Sequence, residues 1–184
     1  MTDAVTLTGD EVIKEIWKKA VLRQNSWHET NQKADPTKTD LQINFMGVAG
    51  EISTCDLFQV SHDMVATDKP DDGVDLEVKG LRFSIKATGT PGIIFTDKQF
   101  EEKKFLKCDY IIPWNYKSNI TWSASEKQPT GAAKIEMICL GYATPEFYID
   151  NAKPWWNKRQ NKYSGMFLDG RYLYDISILK DLMK

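Results

Sequence analysis

One short segment, residues 73–88, holds the residues whose types and spacing are best suited to catalysis. Its sequence, GVDLEVKGLRFSIKAT, alternates apolar and polar residues in two runs around a Lys-Gly pair, which predicts a two-residue hairpin turn. That register puts Asp75 opposite Ser84, and cross-strand neighbours lie about 4.5–5.5 Å apart. Lys86 follows one step along the same polar face. The hairpin therefore predicts a carboxylate, a hydroxyl and an ammonium group in one cluster.

Such a cluster suits the hydrolysis of a phosphodiester. Carboxylates hold a divalent metal that polarises the phosphoryl oxygen and lowers the pKa of an attacking water. A lysine can orient that water or stabilise the developing charge. The register also places Glu77 opposite Arg82 nearer the hairpin tip, and we interpret these two as a structural cross-strand pair. Asp71 and Asp72 belong, on this interpretation, to the turn that enters the first strand.

The segment PDDGVDLEVKGLRFSIKAT resembles the active-site hairpin of the PD-(D/E)XK nuclease superfamily, in which an acidic residue opens one strand and a (D/E/Q)-x-K motif occupies the next. The upstream motif GVAGE resembles the G-x-x-G-E helix of its compact members, which phages and mobile elements often encode. This resemblance implies that Asp75 is the first metal ligand, Lys86 the catalytic lysine, and Glu51 a helix-borne acid that also binds the metal, Mg²⁺ or Mn²⁺. The likeness covers roughly residues 41–183, and only 47–88 is specific.

One position departs from the superfamily pattern. Ser84 stands where an acid or glutamine usually precedes the lysine by two residues, and a neutral hydroxyl is a poorer ligand for a hard cation. Either Glu51 from the helix or Glu77 from the same strand face could supply the missing charge. We favour Glu51, because Glu77 lies two residues nearer the tip and has Arg82 opposite.

The elements that must position this cluster form an α+β pattern. An amphipathic helix is predicted over residues 8–24, and a second carries the GVAGE motif, with apolar residues at spacings of three and four from Leu41 to Cys55. Further strands are predicted at 107–114 and 134–142, and a short helix closes the chain. We therefore expect one domain over residues 1–184, with its core at about 40–184. Helices flank a central mixed β-sheet, and the resemblance implies a restriction-endonuclease-like core.

A second segment combines cations with aromatic residues, a mixture that suits phosphate contact and base stacking. The alternative is a loop whose tryptophans cover the core. The net charge of −2 gives no global attraction to a polyanion, so contacts with DNA must come from local patches of this kind. The face formed by Lys14, Lys18, Lys19 and Arg23 is a weaker candidate that we interpret as solvated. The candidate DNA-binding residues of the segment are Lys153, Trp155, Trp156, Lys158, Arg159 and Lys162.

Other features narrow the class of protein. The chain has no long apolar run, and its N-terminus is acidic where a signal peptide would be basic and then apolar, so we expect a soluble, cytoplasmic protein that does not associate with membranes. Cys55, Cys108 and Cys139 lack CxxC spacing, and only two histidines are present. These features argue against a zinc site and favour reduced, mostly buried thiols.

The leading hypothesis from the sequence is a Mg²⁺-dependent endonuclease that hydrolyses DNA phosphodiester bonds. The first alternative is a DNA-binding or interaction protein that keeps the nuclease fold but has weakened catalysis, which Ser84 and the acidic net charge favour. The second alternative is a sequence-specific restriction-type enzyme, which would act as a homodimer to cut both strands of a symmetric site.

Overall fold

A computed structural model describes residues 3–26, 39–65, 73–122, 129–130, 134–157 and 161–184. The helices within these ranges are α1 (Asp10–Ser26), α2 (Asp40–Phe58), α3 (Asp97–Glu102), α4 (Pro145–Asn151) and α5 (Ile176–Leu182). The strands are β1 (Ala4–Thr8), β2 (Leu76–Val78), β3 (Leu81–Thr88), β4 (Gly92–Thr96), β5 (Tyr110–Ser118), β6 (Thr121–Trp122), β7 (Pro129–Thr130), β8 (Lys134–Cys139), β9 (Lys153–Asn157) and β10 (Lys162–Asp169).

The central sheet has five strands in the order β1-β8-β5-β3-β2. Strands β3 and β5 run parallel, and the other neighbouring pairs are antiparallel. The crossover from β3 to β5 passes through β4 and α3, as a parallel pair requires a long connection. The predicted α+β fold with a mixed sheet flanked by helices is confirmed at this level.

Helices α1, α2 and α5 contribute to the larger core cluster, which also contains the apolar residues of one face of the central sheet. Helix α2 begins with a capping box in which the Thr39 side chain accepts from the Gln42 N–H and the Gln42 side chain accepts from the Thr39 N–H. The central residues of α2 are buried on nearly every face of the helix, because the helix lies between α1 and the sheet. This burial determines the environment of Glu51.

A second layer covers part of the opposite face of the central sheet. Strands β4, β10 and β9 form a separate three-stranded antiparallel sheet, and apolar residues of β4 and β10 pack with α3 and α4 in a smaller cluster. Tyr148 ties this layer together, since its hydroxyl donates to the Met166 carbonyl at 2.6 Å. The site hairpin therefore lies between two apolar clusters.

The structure corrects several predicted boundaries. The first helix runs from Asp10 to Ser26 rather than over 8–24, and a short strand, β1, precedes it. Strand β5 begins at Tyr110, since residues 104–107 form a 3₁₀ turn, and β8 ends at Cys139. The predicted closing helix is confirmed as α5.

The three cysteine thiols are free and buried, as expected from their spacing. In the part of the chain that the structure describes, no helix combines the length and the apolar character needed to cross a membrane.

Candidate active site

The predicted register of the hairpin is confirmed. Leu76 pairs with Phe83, Glu77 with Arg82 and Val78 with Leu81. The two turn residues between the strands, Lys79 and Gly80, have φ of 51° and 79°, so both adopt the positive φ that a tight primed turn requires. The alternation of β3 then directs Phe83 and Ile85 into the larger core and leaves Ser84 and Lys86 on the opposite face.

The backbone of β3 holds the carboxylate of Asp75 in place. The Asp75 N–H donates to the Phe83 carbonyl at 2.8 Å, which extends the hairpin pairing by one residue. The Asp75 Oδ2 atom accepts from the Ile85 N–H at 2.6 Å and from the Ser84 hydroxyl at 3.4 Å. Asp75 Oδ1 accepts no hydrogen bond from the described residues. One oxygen thus fixes the carboxylate, and the other is available to a ligand.

Lys86 lies beside this carboxylate, as the register predicted. Its Nζ is 3.7 Å from Asp75 Oδ2 and 5.4 Å from the centre of the Phe95 ring, so the ammonium interacts with both an anion and an aromatic face. Both charged side chains are 24% exposed, which leaves them reachable from solvent. Lys86 lines a small cavity together with Gly73, Ser84, Phe95, Gln99, Lys104 and Phe105.

Ser84 is completely buried and its hydroxyl lies within hydrogen-bond distance of Asp75. A carboxylate at this buried position would stand against the Asp75 carboxylate, and a hydroxyl avoids that repulsion. In this site Ser84 therefore positions Asp75 as a hydrogen-bond donor.

Glu51 is buried in α2 and forms a bidentate ion pair with Arg23 of α1. The two guanidinium nitrogens lie 2.7 Å and 2.6 Å from the two carboxylate oxygens. Only 2% of Glu51 is exposed. Burial raises the pKa of the Glu51 carboxyl to about 7, although Arg23 lowers it. The charge of Asp75 also raises this pKa, and the charge of Lys86 lowers it. The charges of Asp75 and Lys86 on the hairpin therefore influence the ionisation of Glu51.

Arg23 is the site residue that the sequence interpretation missed. The sequence predicts Arg23 on a solvated helix face with Lys14, Lys18 and Lys19, but its side chain is only 15% exposed. A signal was present in the GVAGEIS stretch, where a single carboxylate stands in an otherwise uncharged run. A buried carboxylate needs a cationic partner, and Arg23 of the neighbouring helix α1 is that partner.

Gly50 lets α2 approach β3 closely at this point. A Cβ atom at Gly50 would lie 3.1 Å from the Ala87 Cβ and 3.3 Å from the Ile85 Cγ2. The helix is also tied to the sheet by the indole of Trp114, which donates to the Thr54 hydroxyl at 2.9 Å. The small residue next to Glu51 therefore brings the carboxylate toward the hairpin.

The interpretation of Arg82 changes. Glu77 and Arg82 face each other across the strands, but the Arg82 guanidinium donates to Asp109, at 3.1 Å from Nη2 to Oδ1 and 3.3 Å from Nε to Oδ2. The Arg82 N–H also donates to Asp109 Oδ2 at 2.8 Å. Asp109, which immediately precedes β5, is the charge partner because it accepts from both the side chain and the backbone of Arg82. Glu77 is exposed.

The oxygen donors present are compatible with Mg²⁺, which keeps several waters and binds proteins through one or two carboxylates. Asp75 offers one oxygen. Glu51 offers a second carboxylate whose oxygens are engaged by Arg23. Among the described residues, no three histidine, cysteine, aspartate or glutamate side chains converge in the way a closed protein site for a metal requires. A cation here would need waters or substrate oxygens as further ligands.

The candidate DNA-binding segment forms the β9–β10 hairpin, which we call the aromatic hairpin (Lys153–Asn157 and Lys162–Asp169). Lys153, Trp156 and Lys162 are exposed, whereas Trp155 is half-buried. Lys158 and Arg159, which join the strands, lie outside the described residues. The alternative that the tryptophans cover the core therefore does not describe Trp156, which is 44% exposed.

Comparison with known proteins found no matching family model, no similar curated protein and no similar solved structure.

Proposed function

We propose that this protein is a metal-dependent nuclease that hydrolyses DNA phosphodiester bonds, with a restriction-endonuclease-like core and an active site of the PD-(D/E)XK type. The observation that carries the proposal is the juxtaposition of Asp75 and Lys86, whose charged atoms lie 3.7 Å apart on the polar face of the hairpin. A carboxylate with one unengaged oxygen beside a lysine is the minimal arrangement for binding a cation next to a phosphate.

Asp75 is the metal ligand that this proposal rests on. The hydrogen bonds to its Oδ2 hold the carboxylate in one orientation, so that Oδ1 could bind a cation without reorganisation. Bound Mg²⁺ would polarise the phosphoryl oxygen and lower the pKa of the attacking water. Glu51 is the second acidic residue, and it would hold the metal with Asp75 once Arg23 releases one of its oxygens. Arg23 meanwhile neutralises the buried carboxylate.

Lys86 acts on the substrate side. Its ammonium donates to the attacking water or to a non-bridging phosphate oxygen, and it stabilises the negative charge that grows on the phosphate. Asp75 and Phe95 position the ammonium before substrate binds. Ser84 helps to hold the same arrangement because its hydroxyl donates to Asp75.

The proposal is tested by cleavage of end-labelled DNA in Mg²⁺, Mn²⁺ or EDTA, with duplex, nicked, single-stranded and branched substrates. We expect metal-dependent cleavage that falls at least about 100-fold in Asp75→Asn and in Lys86→Ala. The matched control is Asp181→Asn, which removes an exposed carboxylate in α5 and should leave the rate unchanged. Cleavage that persists in Asp75→Asn would refute the assignment of the site.

A catalytically weakened nuclease-fold protein that binds DNA is the second candidate, and the Arg23–Glu51 pair favours it. Both Glu51 oxygens are occupied, and a guanidinium at 2.6–2.7 Å competes with a metal ion for the same carboxylate. Calorimetric titration with Mn²⁺ separates the two candidates. Absence of binding together with salt-sensitive DNA affinity would favour the second.

A further inference from the structure

We propose that the aromatic hairpin binds unpaired bases, so that the substrate is DNA with a single-stranded segment next to the scissile phosphate. This inference rests on the proposed function, because it concerns the strand that the nuclease would cut. It commits to single-stranded DNA as the occupant of this surface.

The first observation is an exposed aromatic pair. Trp156 of β9 and Tyr163 of β10 face each other in the sheet register, and their ring centres are 5.0 Å apart at an interplanar angle of 78°. Trp156 is 44% exposed and Tyr163 is 62% exposed. Trp156 lies on the edge strand and Tyr163 on the middle strand of this sheet, and both rings keep a large exposed area that a ligand can contact.

The second observation is charge. Residues 153–163, KPWWNKRQNKY, contain four cations and no acid, although the whole chain has a net charge of −2. Lys153 and Lys162 are exposed, and neither forms an ion pair with a carboxylate in the described ranges. A polyanion that also offers flat rings matches this mixture, because its phosphates pair with lysines while its bases stack.

The third observation links the hairpin to the active site. Met166 of β10 pairs with Phe95 of β4, and the Phe95 ring lies against the ammonium of Lys86. Tyr163 is three residues from Met166 along the same strand, which is a distance of roughly 10 Å. A strand whose phosphate reaches Lys86 can therefore place a base within a few nucleotides on the aromatic pair.

The strandedness follows from what the rings require. In a duplex the base faces are stacked on each other, and a side chain reaches only groove edges and phosphates. Exposed aromatic side chains flanked by cations are instead the arrangement that stacks on single-stranded bases, where each base contributes to affinity without sequence preference. The pair therefore distinguishes single strands from duplex.

The test measures binding in EDTA, so that it does not depend on cleavage. Fluorescence anisotropy compares a labelled oligo(dT) strand with a duplex of equal length. We expect the wild type to bind the single strand at least about tenfold more tightly, and Trp156→Ala/Tyr163→Ala to lose that affinity by roughly 10- to 100-fold. The Trp156→Phe/Tyr163→Phe variant keeps both rings and should stay within about threefold of wild type. Tyr172→Ala is the matched control, since Tyr172 is 60% exposed beyond the other end of β10.

A second measurement uses the wild-type chain and does not depend on the folding of any variant. Photocrosslinking with a 5-iodouracil-substituted strand, mapped by mass spectrometry, should place the crosslink on Trp156 or Tyr163. Equal affinity for duplex, unchanged affinity without the rings, or crosslinks only elsewhere would overturn the inference. A parallel Mg²⁺ cleavage assay is interpreted separately: single-strand preference without cleavage refutes the proposed function alone, and cleavage without the preference refutes this inference alone.

Discussion

Arg23 and Glu51 form a buried bidentate ion pair that joins the first two helices next to the β2–β3 hairpin. The nitrogen–oxygen distances are 2.7 Å and 2.6 Å, and the side chains are 15% and 3% exposed. Arg23 lowers the pKa of the Glu51 carboxyl, but burial outweighs this effect and raises the pKa to about 7. The pair therefore links α1 to α2 inside the protein and engages both carboxylate oxygens of Glu51.

Arg23→Ala should destabilise the protein by about 3–5 kcal/mol, because it leaves the Glu51 carboxylate buried without a partner. Urea unfolding at pH 7.5 measures the loss. In a double-mutant cycle, Arg23→Ala/Glu51→Ala should cost clearly less than the sum of the two single changes. Additive losses would show that the two side chains are not energetically coupled.

Ser84→Asp should destabilise the metal-free protein by at least about 2 kcal/mol, because it adds a buried carboxylate at a position that lies against Asp75. Mn²⁺ should restore the loss, so the metal-induced rise in Tm should exceed that of the wild type. Ser84→Ala is the control and should cost only about 1 kcal/mol, the value of one hydrogen bond. A metal-free Ser84→Asp protein as stable as wild type would contradict the role assigned to Ser84.

Gly50→Val and Gly47→Ala, two changes in the same helix, should have opposite effects on stability. A side chain at Gly50 meets Ala87 and Ile85 at 3.1–3.3 Å, so valine should cost about 1–3 kcal/mol by overpacking. A Cβ at Gly47 meets only Arg23 Nη1 at 3.6 Å, so alanine should stabilise the helix by up to about 1 kcal/mol. Thermal unfolding measures both, and equal effects would argue against the close helix–strand approach.

His62 should make the stability depend on pH. Its Nε2 lies 2.8 Å from Asp56 Oδ1 and its Nδ1 lies 3.3 Å from Glu15 Oε2, so the ring bridges α1 and α2. Burial lowers the pKa of His62, but the hydrogen bonds to these two carboxylates outweigh it and raise the pKa above the ordinary 6.5. The folded state therefore binds the proton more tightly than the unfolded state. The stabilisation is complete below pH 6.5 and is lost as the pH rises through the folded value.

The His62→Gln variant measures this contribution. The unfolding free energy of the wild type relative to His62→Gln should be larger at pH 5.5 than at pH 9. The chain has two histidines, so NMR titration assigns the His62 resonance by its absence in the variant. A difference in stability that grows with pH would contradict the bridge.

The hairpin could be predicted from the sequence because its alternation and turn residues act locally. The apolar face, the turn at Lys79 and Gly80 and the contact between Asp75 and Ser84 all follow from a period of two and one tight turn. Helix α2 followed from its apolar spacing for the same reason.

The features that sequence analysis missed depend on distant parts of the chain. Strand β1 is short and lies at a sheet edge, with only Leu7 buried, so its pattern carries little signal. The partners of Glu51 and Arg82 lie 28 and 27 residues away, and only the packing of α1 on α2 and of β3 on β5 brings them together. Periodicity shows which face of a helix or strand is buried, but it does not show which charged residue of another element contacts that face.

Anomalous diffraction from crystals soaked in Mn²⁺ tests most directly whether Asp75 and Glu51 hold a metal beside Lys86. We expect a peak at about 2.0–2.2 Å from an Asp75 oxygen, within reach of Lys86, with Glu51 contributing an oxygen and its contact with Arg23 loosened. The absence of a peak at Asp75, at a Mn²⁺ concentration that supports DNA cleavage, would contradict it.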